Sequence, residues 1–282
     1  SGDYPDIIQT TAAEYKNYVE SGVIADVTDV YEQYASEELK EYMNYDGGMA
    51  VGALEVDGRI YGLPKMDDPY SNSNVMFIRQ DWLDNLGLEV PKTMDELREV
   101  AYAFTHDDPD GNGQNDTYGL ALDGVNILNN SVGDADPIFN AFGCYLGDNG
   151  MTYIEDENGE ITWGGANVEG MKAALTFLQG LYQDGSIATD FITMDSTSVF
   201  EETGAGRCGI WFAPNWGAME PIVGAAQNDV NARIVAAPVP DGLDQGGSKA
   251  YVASSPDTIY CVSSQCGNPE VLVKLWNLGG KY

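Results

Sequence analysis

The stretch Val75-Met76-Phe77-Ile78-Arg79-Gln80-Asp81-Trp82-Leu83-Asp84-Asn85-Leu86-Gly87 decides how the chain is read. Its first four residues are apolar and uninterrupted, the pattern of a strand buried in a sheet. Asp81 to Leu86 then reads as a short helix. Gly87 closes it, because glycine accepts the left-handed conformation that commonly ends a helix. Shortly after, Thr93-Met94-Asp95-Glu96 forms a capping box. The Thr hydroxyl accepts from a free N–H of the first turn and the Glu carboxylate reaches back. The helix it opens carries Leu97, Val100, Ala101 and Phe104 on one face.

The same alternation extends in both directions. Pro5-Asp6-Ile7-Ile8 reads as a strand, and Glu14, Tyr15, Tyr18 and Val19 follow at helical spacing up to Gly22. Val23 to Val27 returns to extended chain, and Ser36-Glu37-Glu38-Leu39 starts a helix with acids in its first turn. Asp57-Gly58 between Ala53–Val56 and Arg59–Leu63 is a hairpin signal. Asn167 opens the longest amphipathic helix, with Met171, Ala174, Leu175, Leu178, Leu181 and Tyr182 as its core stripe and Gly185 as its end. Cys208–Phe212, Arg233–Ala237 and Ile259–Val262 read as strands, and helices start at Pro214-Asn215 and at Pro269. Strands alternating with helices predict an α/β fold with substantial parallel sheet.

Charge narrows the partners. The 282 residues hold 13 Lys+Arg against 45 Asp+Glu, a formal net charge of −32. Such a field repels phosphate backbones and anionic lipid, which excludes nucleic acid and leaves neutral or cationic ligands. His106 is the one histidine, so a His triad or a multi-His metal site is disfavoured. The 4 cysteines are too few for a disulfide scaffold, and only Cys261 and Cys266 are close enough in sequence to pair locally. No stretch approaches the ~20 apolar residues of a membrane span.

Asp108-Pro109-Asp110-Gly111-Asn112-Gly113-Gln114-Asn115-Asp116 carries the metal chemistry. Asp108, Asp110, Asn112 and Asp116 place oxygen side chains at alternating loop positions. Gly113 supplies the sharp turn and Gln114 a backbone carbonyl, which is the spacing of a calcium loop. The position that holds a bidentate Glu in an EF-hand is Gly119, so the expected role is structural and the affinity moderate. The alternative is an ordinary acidic turn built from turn formers.

Aromatic residues make up 11% of the chain, with 17 Tyr and 5 Trp. A flat apolar ring with a polar tip suits a sugar, whose C–H face stacks while its hydroxyls hydrogen-bond. Trp216 follows a strand at the place where α/β sheets present ligand loops, and reads either as a stacking platform or as core. The polar run Asp67 to Asn74 reads as a cleft-lining crossover or a solvated loop. Gly-x-Ser-x-Gly, the phosphate loop and the dinucleotide fingerprint are all absent, and with 45 acids no carboxylate pair stands out.

Six segments in order resemble the family 1 extracellular solute-binding proteins of ABC importers, the group of maltose-binding protein. They are Pro5–Ile8, Ser21–Asp29, Asp57–Pro64, Phe77–Leu83, Pro91–Leu97 and Gly209–Trp216. Asp108–Asp116 also looks like the calcium loop of the alginate-binding members, with Thr117 where a further acid is frequent. The resemblance implies an α/β, two-lobed periplasmic-binding-protein-like (type II) fold with the ligand cleft between lobes. It implies a division into 1–72, 73–253 and 254–282, the last returning to the first lobe. By position, Thr10, Thr11, Glu14, Asn72 and Trp216 become expected ligand residues, and Asp68 and Tyr70 of the polar run are expected to supply further hydrogen bonds. The first-lobe side chains differ in type from those of maltose-binding protein, so maltose is not the expected sugar. The expected function is delivery of an oligosaccharide to an ABC permease by a non-catalytic monomer. The resemblance places it on the cell surface of a Gram-positive bacterium, held by a lipid anchor outside this chain, or in a periplasm. Family segments fall before Ser1 and after Tyr282, so the chain reads as a fragment. A secreted glycoside hydrolase and a calcium-dependent carbohydrate adhesion module are the alternatives.

Overall fold

The computed structural model describes residues 4–66, 73–129, 131–147, 150–155, 158–243, 248–249 and 258–279. The chain divides into two compact units, Ser1–Pro69 with Ala253–Tyr282, and Tyr70–Val252. None of the described helices is long and apolar enough to cross a membrane.

The first unit contains β1 (Ile7–Thr11), α1 (Ala12–Glu20), α2 (Thr28–Tyr34), α3 (Glu37–Met43), α4 (Met49–Gly52) and β2 (Gly62–Pro64). The second runs through β3 (Val75–Arg79), α5 (Gln80–Leu86), α6 (Met94–His106), β4 (Tyr118–Leu120), α7 (Asp136–Ala141), β5 (Tyr153–Glu155), β6 (Ile161–Trp163) and α8 (Val168–Gln183). It continues with α9 (Ser196–Gly204), β7 (Cys208–Ala213), α10 (Met219–Asn228) and β8 (Ile234–Ala237). The chain then re-enters the first unit with β9 (Thr258–Val262) and α11 (Val271–Gly279).

In the first unit the sheet order is β1-β9-β2, with β9 antiparallel to both neighbours. β1 and β2 therefore run the same way, and their carboxyl ends, Thr11 and Pro64, meet one edge of the sheet beside Thr258 and Ile259. Val27, Leu39, Met43, Leu63, Val262, Leu272 and Val273 form the larger core cluster. Tyr15 ties α1 to the rest: its hydroxyl donates to the Leu54 carbonyl at 2.9 Å and accepts from the Tyr61 N–H at 2.9 Å. Burial pushes the Tyr15 phenol up to about 12, so it stays a neutral donor. The turn expected at Asp57-Gly58 is present with φ of 53° and 74°, but it closes a single bridge, Val56–Arg59, instead of a hairpin. β2 pairs with β9, about 200 residues away in sequence, which local pattern does not reveal. Cys261 and Cys266 do not pair; both are free thiols, and Cys261 is buried in β9.

In the second unit the order is β4-β7-β3-β8. β7 is parallel to β4 and antiparallel to β3, which is antiparallel to β8. The substantial parallel sheet expected from alternation is thus reduced to one parallel pair among the described ladders. β3 and β9, the strands by which the chain enters the second unit and re-enters the first, run against their neighbours. β7 is buried along its whole length because both sheet faces are covered. On one face Trp82 of α5 meets Phe104 of α6 edge-on at 5.2 Å between ring centres, and on the other Phe77 stacks on Trp211 at 5.5 Å.

The caps act as read. Thr93 accepts from the Glu96 N–H at 3.2 Å with the reciprocal bond in place, and Asn167 accepts from the Gly170 N–H at 3.1 Å. The stripe of α8 is rotated from the expected one. Gly170, Ala174, Phe177 and Leu181 are buried, whereas Leu175 and Tyr182 are exposed. Residues at 170, 174, 177 and 181 follow the i, i+4, i+7 period more closely, and Phe177 supplies the bulk.

Candidate functional site

Strand direction defines the site. β4, β7 and β8 end, and β3 begins, at one edge of the second unit's sheet, because Val75 pairs with Ala213 and Met76 with Ala237. Open α/β sheets bind ligands at the carboxyl ends of their strands. After β7, Pro214 leads into a turn of 3-10 helix, Asn215–Ala218. Gly217 lets that turn fold back: a Cβ there would lie 2.4 Å from the Ala213 Cβ. The Gly217 carbonyl then accepts from the indole N–H of Trp211 at 3.3 Å. Trp211 is buried, as is Trp82. Trp216 is 37% exposed at the edge, so it is not core.

Beneath this edge lies a buried polar network that the sequence did not single out. Asp123 accepts from the Asn126 N–H at 2.7 Å and, through its other oxygen, from Asn129 Nδ2 and the Ser196 hydroxyl, each at 2.8 Å. Asp134 accepts from the Asp136 N–H at 3.0 Å and from Asn74 Nδ2 at 2.5 Å. Asp136 accepts from Asn140 Nδ2 at 2.7 Å and the Gly147 N–H at 2.8 Å. Burial pushes the Asp134 carboxyl up to about 7; the Asp136 N–H and Asn74 act against this, while the nearby Asp136 charge adds to it. The Asp136 carboxyl is raised too, again chiefly by burial. Asn74 and Asn140 each keep a buried Oδ1 without a partner. In loop sequence these residues look like turn formers, and only contacts such as Asn74 to Asp134, 60 residues apart, reveal the network.

The other expected ligand residues divide. Thr10 and Thr11 close β1 at the carboxyl edge of the first unit's sheet, and Glu14 stands in the first turn of α1. The buried Thr10 hydroxyl donates to Glu14 Oε2 at 3.3 Å, while Thr11 and Glu14 are exposed. Asp68, Tyr70 and Asn72 lie outside the described residues. A separate groove of about 740 Å³ in the second unit is lined mainly by Val90, Pro91, Lys92, Phe142, Pro238, Val239 and Pro240. It is largely apolar and holds none of the expected residues.

The acidic loop joins α6 to β4, so it is followed by a strand where an EF-hand has a second helix. Asn112 Nδ2 donates to Asp110 at 2.8 Å and to Asp116 at 3.2 Å, and the Gly113 N–H donates to Asp108 at 3.0 Å. The Asp110 carboxyl is raised by burial first, and by the Asp108 and Asp116 carboxyls beside it. Among the described residues no group of three or more His, Cys, Asp or Glu is arranged to hold a metal, so the convergence runs through Asn112. Gly119 is no vacant ligand position: a Cβ there would lie 2.5 Å from the Ala101 carbonyl of α6, so packing excludes a Glu. The donors are oxygen only, which fits a hard cation such as calcium.

A discontinuous first unit, a second unit inserted between its strands, and ligand loops at the sheet edge define an α/β binding protein of the periplasmic type II fold. The chain belongs to the bacterial extracellular solute-binding protein family, whose profile matches residues 1–275. It is 30% identical over 215 residues to the polygalacturonan/rhamnogalacturonan-binding protein YtcQ of Bacillus subtilis, covering 75% of this chain and 39% of that protein. The Streptococcus pneumoniae ABC-transporter substrate-binding protein FusA, solved in complex with kestose, superposes with a TM-score of 0.74 at 25% identity, over 98% of this chain and 55% of that one. An EF-hand mutant of FusA with fructo-nystose gives a TM-score of 0.73 at 25% identity, over the same shares. The chain thus spans about half the length of that structure and less of YtcQ.

Proposed function

We propose that this chain belongs to an extracellular protein that binds an oligosaccharide and presents it to an ABC permease, without catalysis. The observation that carries the reading is the exposed Trp216 indole at the carboxyl edge of the second unit's sheet, above fixed polar groups. A sugar needs one aromatic face and several short polar groups; Trp216 supplies the first in this reading, and the buried network beneath holds the edge in shape. The membership of the family, and the sugars bound by YtcQ and FusA, support the same class. Thr11 and Glu14 hydrogen-bond hydroxyls in this reading, with Thr10 orienting Glu14, and Asp68, Tyr70 and Asn72 contribute from the segment before β3. The net charge favours a neutral sugar over a uronate.

Trp216→Ala is expected to weaken oligosaccharide binding by about 1–3 kcal/mol, the value of a large apolar surface. Its melting temperature should stay near wild type, because the side chain is part-exposed. Calorimetric titration against a panel of neutral oligosaccharides, with chromatography of the mixtures, checks both parts. Unchanged affinity removes Trp216 from the site, and accumulating cleavage products overturn the non-catalytic reading.

Calcium in the Asp108–Asp116 loop completes the proposal, held by Asp108, Asp110, Asn112, the Gln114 carbonyl and Asp116. When bound, the ion would neutralise carboxylates that otherwise repel one another and would pin α6 to β4. Calcium should raise the melting temperature of wild type, by linkage to the folded state. Asp110→Ala should melt in calcium near the wild-type value in EDTA. Protons compete for the raised Asp110 carboxyl, so the calcium effect should shrink as pH falls. Identical wild-type melting in calcium and EDTA removes the site.

A further inference from the structure

The two-stranded sheet β5–β6 presents an exposed aromatic face. Tyr153 pairs directly with Trp163, and Glu155 with Ile161. In both strands the outer residues are exposed and the middle one is partly buried, so Tyr153, Glu155, Ile161 and Trp163 share the open face. Tyr153 is 64% and Trp163 44% exposed. The indole is held in place: Trp163 Nε1–H donates to the Gly150 carbonyl at 2.9 Å. Its six-membered ring lies against the Gly165 backbone, where a Cβ would sit 2.5 Å from Cζ2 and Cη2. The result is an aromatic pair with the indole fixed, its N–H satisfied, and a carboxylate acceptor on the same face.

The hairpin is also rooted in the polar network of the sheet edge. Tyr145 N–H donates to the Gly164 carbonyl at 3.0 Å and Thr152 N–H to the Leu146 carbonyl at 3.1 Å. The next residue, Gly147, donates its N–H to Asp136, which opens α7.

We propose that this face is a second carbohydrate-contacting surface, taking a neutral sugar ring from the outer part of an oligosaccharide chain. It rests on the carbohydrate reading above. The fixed indole, with the exposed Tyr153 on the paired strand, matches the apolar C–H face of a sugar, and Glu155 is an acceptor for its hydroxyls. The strongly acidic chain disfavours an anionic occupant. Hydrogen bonds through Tyr145, Leu146 and Gly147 tie the hairpin to Asp136 within the same unit, and in this proposal only a ligand longer than the first site reaches it.

The test labels the five tryptophans with 5-fluorotryptophan and assigns their fluorine resonances with single Trp→Phe variants. The probes are disaccharides and hexasaccharides of the fructo-, malto- and xylo-series. A binding hexasaccharide should shift both Trp216 and Trp163, whereas its disaccharide should shift Trp216 alone. Trp163→Ala and Tyr153→Ala should each weaken the hexasaccharide by about 3–10-fold, the scale of an aromatic contact, and leave the disaccharide unchanged. Gly165→Ala, which disturbs the ring without removing it, should weaken the hexasaccharide as well. If hexasaccharides shift Trp216 but not Trp163, the hairpin is not a sugar surface and the carbohydrate reading stands. Equal hexasaccharide affinity in wild type and Trp163→Ala also overturns the proposal. If no probe shifts either resonance, both readings fall.

Discussion

Arg79→Ala is expected to destabilise the protein by about 3–5 kcal/mol, because it removes one partner of a buried ion pair and leaves the other behind. Arg79 ends β3 and is 3% exposed. Its guanidinium grips Asp81 with both arms, Nε to Oδ1 at 2.9 Å and Nη2 to Oδ2 at 2.6 Å, and lies 4.6 Å from the centre of the Trp82 ring. Asp229 stands 3.8 Å away. Without the arginine, the Asp81 carboxylate keeps the Arg233 N–H at 3.1 Å but faces the hole left above an indole. Arg79→Lys should recover only part of the loss, since a point charge cannot reproduce the two-armed grip or the stacking. Asp81→Asn should cost less than Arg79→Ala, because Arg79 retains Asp229 and the Trp82 face. Urea denaturation of the three variants checks the order. A loss under about 1 kcal/mol for Arg79→Ala would place the pair with ordinary surface salt bridges.

The segment Val75 to Gly87 could be read from sequence because its signals, the apolar run Val75–Ile78 and the Gly87 stop, lie within a few residues of each other. Arg79, Asp81 and Trp82 interact within a few residues, so their chemistry is local, like the Thr93 capping box and the Gly87 stop. The acidic loop stood out for the same reason: its oxygen side chains alternate along the chain, and Asn112 bonds to Asp110 and Asp116 on either side. The partners of β2 and β3 were not legible, since Gly62 meets Cys261 and Phe77 meets both Trp211 and Ala236 across long stretches of chain. Strand direction followed from those pairings, so the expected parallel sheet was too generous. In α8 the apolar residues are numerous enough to support two neighbouring stripes, and only packing chooses between Leu175 and Phe177. At the sheet edge Trp216 was visible because an aromatic after a strand is conspicuous. Asp134 and its pairing with Asn74 were not, because burial turns ordinary turn formers into a constrained polar pair without any local signal.

The buried pair makes the second large prediction, a pH dependence that Asp134→Asn should abolish. Asp134 is 1% exposed, and its carboxyl is pushed up to about 7 from a usual value near 3.8. The native protein therefore holds a proton that the unfolded chain has released anywhere between those values. The contribution of this group to stability is fully present below about pH 4 and falls as pH rises to about 7. The gap corresponds to a cost of up to ~4 kcal/mol above pH 7 in wild type. The geometry fits a protonated form. Asn74 Oδ1 is buried without a partner, and the 2.5 Å separation suits O–H···O better than N–H···O. If the Asn74 carboxamide turns over, an Asp134 hydroxyl can donate to that oxygen. An asparagine at 134 reproduces this arrangement permanently: its Oδ1 accepts from the Asp136 N–H and its Nδ2 donates to Asn74 Oδ1. Asp134→Asn should thus be more stable than wild type at pH 8, and the advantage should vanish near pH 4. Carboxylates away from residue 134 also make the chain less stable as pH rises, through self-repulsion, but they are common to both proteins and cancel in the difference; Asp136, whose charge faces Asp134, is part of the measured effect. Melting curves of the two proteins from pH 4 to 8 measure it. Parallel curves across that range would show that Asp134 stays ionised in the fold, and that burial at the sheet edge costs less than its surroundings imply.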